Sequence, residues 1–258
     1  MLNDIFFSVI IPNYNNSEWL PKSINSILKQ TFSNYEIIVV DDCSTDNSIE
    51  ILKKYDNIKL IQCKNKAFNG GSRNIGLKKA QGQYVLFLDS DDWFYDENCF
   101  QKIYNTIIEN NKPDCISLSY NCLIGNNQSF QSLIRNTPQN LVSSVFVACW
   151  TKCIKKELIQ FFPENTLMED VVQHIAQCDK INTIVSINEP IIVWNRNNIN
   201  SCSRIENQNL QKGKWQSSMY RYAADLMDLE CEHSYCEEHR KWRLSVVLNN
   251  IKEGKYIQ

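Results

Sequence analysis

Three carboxylates, Asp89, Asp91 and Asp92, fall within four positions of the stretch VLFLDSDDWF. Clustered acids repel one another and are costly where water is scarce. Here they follow directly on the apolar run Val85 to Leu88, so they need a positively charged partner. Oxygen ligands of this type suit magnesium or manganese, ions that usually share their coordination with phosphate and water. If the chain is still extended at Asp89-Ser90-Asp91, both acids turn to one side. One can then hold the ion while the other meets the ligand's sugar or a metal-bound water. Asp92 reads either as a member of this set or as a helix-capping acid at a strand–helix junction.

Two further groups could carry chemistry. The chain has seven glycines, and Gly70, Gly71, Gly76 and Gly82 crowd into GGSRNIGLKKAQG. Gly70 and Gly71 suggest an unusual backbone shape or close approach of a ligand, or simply a loop and helix start. CEHSYCEEH gathers Cys231, His233, Cys236 and His239. That spacing matches no common structural zinc site, and an ordinary polar helix surface is the better reading.

The elements that must position the acids alternate through the first half. FFSVIIP reads as a strand, and Ser17 to about Gln30 as an amphipathic helix. YEIIVVDD is a second strand, followed by a helix from Thr45 or Asp46 to Tyr55. IKLIQC is a third strand, GGSRNIGLKKAQG contains a helix, and QYVLFL is a fourth strand. Strands separated by helices imply right-handed crossovers and a mainly parallel sheet covered on both faces. Ligands of such sheets bind beyond the carboxyl ends of the strands, where this chain places PNYNN, DDCSTD and DSDD. Further on, DCISLSY reads as a fifth strand and NCLIGNNQSF as a hairpin turning at Gly125-Asn126-Asn127. FVACWTKCIKKELI should run from strand to helix, MEDVVQHIAQC should be helical, and INTIVSI and PIIVWNR should be two short strands. From about Asn207 the pattern is helical and aromatic.

With 258 residues, 43% hydrophobic and 22% charged, the chain has the composition of a soluble globular protein with an ample core. A net charge of −2 gives no general electrostatic case for nucleic acid or an acidic membrane. The N-terminal apolar run, Ile5 to Ile11, is a strand rather than an export signal, and no run approaches the roughly 20 residues of a membrane span. Eleven cysteines, scattered and odd in number, read as buried free thiols.

Taken in order, SVIIPNYNN, EIIVVDDCSTDNS, GGSRNIGLKKAQGQYVLFLDSDDW, CWTKCIKKEL and MEDVVQHI resemble the inverting family-2 glycosyltransferases. The resemblance runs from about Phe7 to Arg204. It implies the α/β GT-A fold: a mainly parallel, Rossmann-like sheet with helices on both faces, here with a C-terminal helical appendage. The expected domain is 1–206, with a nucleotide-binding half at 1–110, an acceptor half at 111–206, and a helical extension at 207–258. Carried over residue by residue, Pro12, Tyr14 and Asn15 would line the nucleotide pocket, with Tyr14 near the base or simply half-buried at a strand end. Asp42 would accept a hydrogen bond from uracil, with Asp41 as the alternative. Arg73 would face the nucleotide side of the cleft. Asp89 would contact ribose or metal-bound water beside Ser90, and Asp91 would hold the manganese or magnesium. Asp170 would be the catalytic base.

Chemistry is in keeping with what the resemblance implies for Asp170. Inverting transfer is one in-line displacement, so a carboxylate from a different segment than the metal ligand must take the acceptor's proton. Glu169 and Asp170 would project from the first turn of a helix anchored by Val171, Val172 and Ile175, or would merely complement its dipole. Trp150 and Trp194 are candidates to stack on an acceptor sugar, with Glu169 a weaker acceptor contact; both tryptophans are equally good core residues. QxxRW is absent, which favours a single-addition enzyme over a processive synthase. The expected donor is a UDP-sugar, and the acceptor a saccharide or glycolipid of surface polysaccharide biosynthesis. The expected location is the cytoplasm, including the inner face of the membrane. The alternatives are a non-catalytic nucleotide-sugar-binding protein and, further off, a nucleotidyltransferase, whose glycine-rich basic loop after the first strand is missing. The tail's Trp215, Tyr220, Tyr222 and Trp242, with Lys212, Lys214, Arg221, Arg240, Lys241 and Arg243, suggest binding of an acceptor or a partner.

Overall fold

The first strand, β1 (Phe7–Asn13), is buried at all seven positions, as expected of a strand covered on both faces. Its alternation sorts Phe7, Val9 and Ile11 into one apolar cluster and Ile10 into another, the period of two that a pleated strand imposes. The structure is a computed structural model that describes residues 5–142, 148–164, 169–201, 229–232 and 234–253.

On one side β1 pairs in parallel with β2 (Tyr35–Asp41), and β2 with β3 (Ile58–Gln62). On its other side it pairs in parallel with β4 (Tyr84–Phe87). The sheet continues through β8 (Lys152–Lys155), antiparallel to both β4 and β6 (Cys115–Ile124). Then comes β9 (Ile184–Asn195), parallel to β6, and finally the short β5 (Trp93–Phe94), antiparallel to β9. A hairpin strand, β7 (Asn127–Gln131), hangs on β6. The main sheet direction is therefore parallel, with β5, β7 and β8 reversed. Helices α1 (Leu20–Leu28) and α4 (Cys99–Glu109) bury Ile24, Ile27, Phe100 and Ile103 on the face that carries Phe7 and Val9. The opposite face, with Ile10, Val40 and Phe87, takes α3 (Phe68–Lys79) and α6 (Glu169–Cys178).

Several elements differ from the sequence expectation for local reasons. The second helix is only α2 (Ser48–Leu52), because Asp46 staples the loop: its carboxylate accepts from Ser48 N at 3.0 Å and Ser17 N at 2.9 Å. The hairpin turns on Gly125 and Asn126, since Ile124 pairs with Asn127; Gly125 sits at φ +59°, where glycine is unstrained. INTIVSI and PIIVWNR form one strand whose register slips between Leu118–Ile187 and Ser119–Pro190, because a proline cannot donate to the ladder. KELI closes in a short 3-10 turn, Lys156–Leu158, rather than an α-helix.

Beyond α5 (Pro138–Val142), the C-terminal helix α7 (Ser234–Glu253) buries Cys236 and Val247 in the same cluster as Leu141 of α5 and Ile175 of α6. It thus completes the core on that face and leaves Trp242 half exposed. Lys212, Lys214, Trp215, Tyr220, Arg221, Tyr222 and His233 lie outside the described residues. Nε2 of His239 accepts from Arg243 Nε at 3.3 Å, and among the described residues no three potential ligands gather for a metal. The described cysteines are free thiols, most of them buried.

Candidate active site

The acidic stretch is a turn, not an extended segment. Leu88 N still bonds Ile10 O, but Asp92 N then folds back to Asp89 O at 3.0 Å, so the simple alternation of Asp89 and Asp91 does not hold. Strand β5 follows, so Asp92 caps no helix. It is 1% exposed, and its Oδ1 accepts from Asn195 N at 2.8 Å, tying the turn to the end of β9. Burial, reinforced by Asp91 and Asp89, holds the Asp92 carboxyl well above the usual range. Asp91 is half-buried, pushed up to about 6 by burial and by Asp89, and its Oδ2 accepts from Asn198 Nδ2 at 2.8 Å. Ser90 accepts from Asn16 Nδ2 at 2.9 Å. Asp89 keeps 34% of its side chain exposed. Two partly open carboxylates, with no third His, Cys, Asp or Glu gathered beside them among the described residues, fit a hard cation whose coordination is completed by phosphate and water.

At the end of β1, Pro12 is buried and Tyr14 is 48% exposed, with the Lys66 ammonium over its ring. Asn15 takes a left-handed backbone, φ 49°, which asparagine tolerates better than most residues. Its Oδ1 accepts from Thr45 N at 2.7 Å and Asp46 N at 3.3 Å, clasping the loop after β2. Asp41 is enclosed by Asn13 Nδ2 at 2.8 Å and by Ser44, through its hydroxyl at 2.6 Å and its N–H at 3.0 Å. Asp42 instead accepts from Ala67 N at 2.5 Å and Phe68 N at 3.0 Å, at the N-terminus of α3, where the dipole favours an anion. It shares Lys66 with Tyr14, so the two occupy one patch.

Arg73, 4% exposed on α3, bridges two acids: Nη2 lies 2.8 Å from Asp89 Oδ1 and Nη1 2.8 Å from Glu169 Oε1. Burial pushes Glu169 up to about 7 against the pull of Arg73. The neighbouring Asp170 is half-buried; its carboxyl is raised by burial, with Arg73 and Lys152 opposing and Asp89 adding to the rise. Helix α6 is seated by α3. Asn74 donates to Phe162 O and accepts from Phe162 N, each at 2.8 Å. Gly70 packs so closely that an added Cβ would meet Pro163 O at 2.4 Å. That glycine, inside the first turn of α3, therefore admits protein backbone rather than a ligand.

A family model, Glycosyl transferase family 2, matches residues 8–170. The chain belongs to glycosyl transferase family 2. Over 97 residues it is 44% identical to the poly(ribitol-phosphate) beta-N-acetylglucosaminyltransferase TarS of Staphylococcus aureus, covering 35% of this chain and 17% of TarS. Over 168 residues it is 34% identical to WfgD of Escherichia coli, a UDP-Glc:alpha-D-GlcNAc-diphosphoundecaprenol beta-1,3-glucosyltransferase, covering 62% of this chain and 64% of WfgD. The chain thus spans under a fifth of TarS and about two thirds of WfgD. Residues 1–349 of S. aureus TarS, solved with UDP-GlcNAc, superpose with a TM-score of 0.72 at 25% identity, over 97% of this chain and 73% of that one. The GT-A expectation holds.

The hydrogen-bond partners that hold the candidate acids were not singled out in the sequence. Asn74 stands beside Arg73 in GGSRN, and its partner Phe162 lies 88 residues away. Asn16 and Asn198 sat in stretches read only as polar. Lys152, 1% exposed with Nζ donating to Ala148 O at 3.0 Å, places buried positive charge within electrostatic reach of Asp170. Trp150 is packed in the core, 3% exposed, edge-on to Tyr120 at 5.1 Å. Of the two tryptophans, Trp194 keeps the open surface, with the Arg196 guanidinium 4.6 Å from its ring centre.

Proposed function

We propose that the chain transfers one sugar, with inversion, from a UDP-sugar to a hydroxyl of a saccharide or glycolipid acceptor. The observation that carries this is the division of labour on α6. Glu169 is held by Arg73, while Asp170 beside it is half-buried and keeps surface for a substrate. Asp170 takes the acceptor hydroxyl's proton as the acceptor oxygen bonds to the anomeric carbon. The anomeric carbon–phosphate oxygen bond breaks on the opposite face, and UDP leaves with the electron pair. A magnesium or manganese ion held by Asp91 and Asp89 would offset the charge on the departing diphosphate. Tyr14, Asn15 and Asp42, with Pro12 beneath them, form the wall for the uridine, and Trp194 is offered to the acceptor. UDP as the nucleotide is supported by the UDP-GlcNAc complex of TarS and by the donor of WfgD. The hexosyl or N-acetylhexosaminyl group is left open. Among the described residues no helix is long and apolar enough to cross a membrane; a lipid-linked acceptor would be met at the inner membrane face.

A panel of UDP-sugars with manganese tests this reading. A donor at 100 times its Kd should add about 2.7 kcal/mol of stability. Slow hydrolysis of that donor should give a sugar whose first-formed anomer, read by NMR, is inverted. Binding without any turnover would make the chain a nucleotide-sugar-binding protein instead.

A further inference from the structure

The loop that follows β9 is held against the acidic turn by two separate ties. Asp92 Oδ1 accepts from Asn195 N, and Asp91 Oδ2 accepts from Asn198 Nδ2, each at 2.8 Å. Asn198 is 6% exposed. Its own Oδ1 accepts from Asn200 N at 3.0 Å, which fixes the amide so that the NH2 group faces Asp91. The same NH2 lies 3.3 Å from Asn16 Oδ1, and Asn16 Nδ2 donates to Ser90 Oγ at 2.9 Å. One amide thus joins the end of β1, the acidic turn and the end of β9.

We infer that Asn198 is a positioning residue for Asp91, fixing the plane of that carboxylate so that its other oxygen is presented to the diphosphate-bound cation; this rests on the reading of Asp91 as the metal ligand. A carboxylate's terminal torsion is broad and unrestrained by itself. A hydrogen bond to one oxygen removes that freedom before the ligand arrives, which lowers the ordering cost of binding. The donor is neutral, so it orients Asp91 without cancelling the charge a cation needs, as lysine or arginine would. The tie also links the segment bearing Trp194, on the acceptor side, to the donor site.

Calorimetry of UDP with and without manganese tests this in the wild type, Asn198→Ala, the isosteric Asn198→Asp, and Asn197→Ala. Asn197 anchors the same loop, through Gly125 N at 2.6 Å and Gly125 O at 3.0 Å, without touching Asp91. Loss of the Asn198 donor should cut the manganese enhancement of UDP affinity about tenfold, the order of one charge-assisted hydrogen bond. UDP affinity in EDTA should stay within about twofold, and Asn197→Ala should keep the enhancement. Equal enhancement in Asn198→Ala and wild type overturns the inference, as does an equal loss with and without metal, which is what general loosening of the loop would give. Should the alanine variant not fold, Asn198→Asp decides: retained enhancement there overturns the inference. If manganese does nothing even in the wild type, the metal-site reading itself fails and takes the inference with it.

Discussion

Arg73 Nη1 lies 2.8 Å from Glu169 Oε1, and the other arm of the same guanidinium reaches Asp89 Oδ1 at 2.8 Å. A buried arginine therefore joins the acidic turn after β4 to the first turn of α6, the two segments to which the proposed mechanism assigns the cation and the base. Its planar fork is suited to this; a lysine is a point charge and cannot reach both carboxylates in the same way.

Arg73→Met should consequently destabilise the fold by about 3–5 kcal/mol, because it leaves the buried Glu169 without its counter-charge. Arg73→Lys should lose less stability yet still lower transfer, since one of the two ties is broken. Thermal unfolding read alongside transfer rates checks the pair. Arg73→Met with wild-type stability would mean that the bridge contributes nothing to the fold.

Gly70→Ala tests the seating of α6. Its methyl would meet Pro163 O at 2.4 Å, so the lead-in to α6 must move. We expect a stability loss of about 1–3 kcal/mol and a transfer rate that falls while UDP affinity holds. Gly71→Ala, whose added carbon meets only the Ala67 side chain at 3.1 Å, is the milder comparison. Equal effects of the two would remove Gly70's special place.

Asp91→Ala should abolish the strengthening of UDP binding by manganese, since Asp89, already bonded to Arg73, does not hold the ion alone against hydration. Titrations of UDP with and without manganese check it. Undiminished enhancement in the variant would place the metal elsewhere.

The pH dependence follows from burial. Both Glu169 and Asp170 are raised, Glu169 to about 7, with burial as the first cause. A raised carboxyl takes up its proton at a higher pH than an ordinary one, and a general base must be ionised. Transfer at saturating donor should therefore fall as pH drops, with a midpoint above the ordinary carboxylate value of about 4. Removing the Arg73 cation should move that acid limb to still higher pH. A pH–rate profile of wild type and Arg73→Gln checks both. A midpoint at an ordinary carboxylate value would contradict a base raised by its surroundings on α6.

What could be read from the sequence was what is encoded locally. The all-apolar β1, the acids behind β4 and the order of the polar strand ends follow from period and burial, and with them the parallel sheet and the position of its mouth. What could not be read depends on contacts between distant segments. Asp92 looks like its neighbours in sequence, yet it faces Asn195 across the sheet and serves β9. Asn198 reaches Asp91 from 107 residues away, and no local pattern distinguishes it from Asn197 or Asn200. Trp150 and Trp194 were equivalent on paper; the first packs edge-on to Tyr120 of β6 in the core, and the second lies near the end of β9, partly open. Gly70 showed itself as unusual, but its reason, the carbonyl of Pro163, lies on another segment.

If Asp170 removes the acceptor's proton, Asp170→Asn must slow the chemical step, and Glu169→Gln is the control. Asparagine keeps the size and much of the hydrogen bonding but cannot take the proton. Single-turnover transfer should fall by about 10² to 10⁴, the usual worth of a general base, while UDP-sugar affinity changes little. Glu169→Gln should slow the chemical step less. A crippled Glu169→Gln beside a mild Asp170→Asn would exchange the roles of the two acids, and intact transfer in both would place the base outside α6.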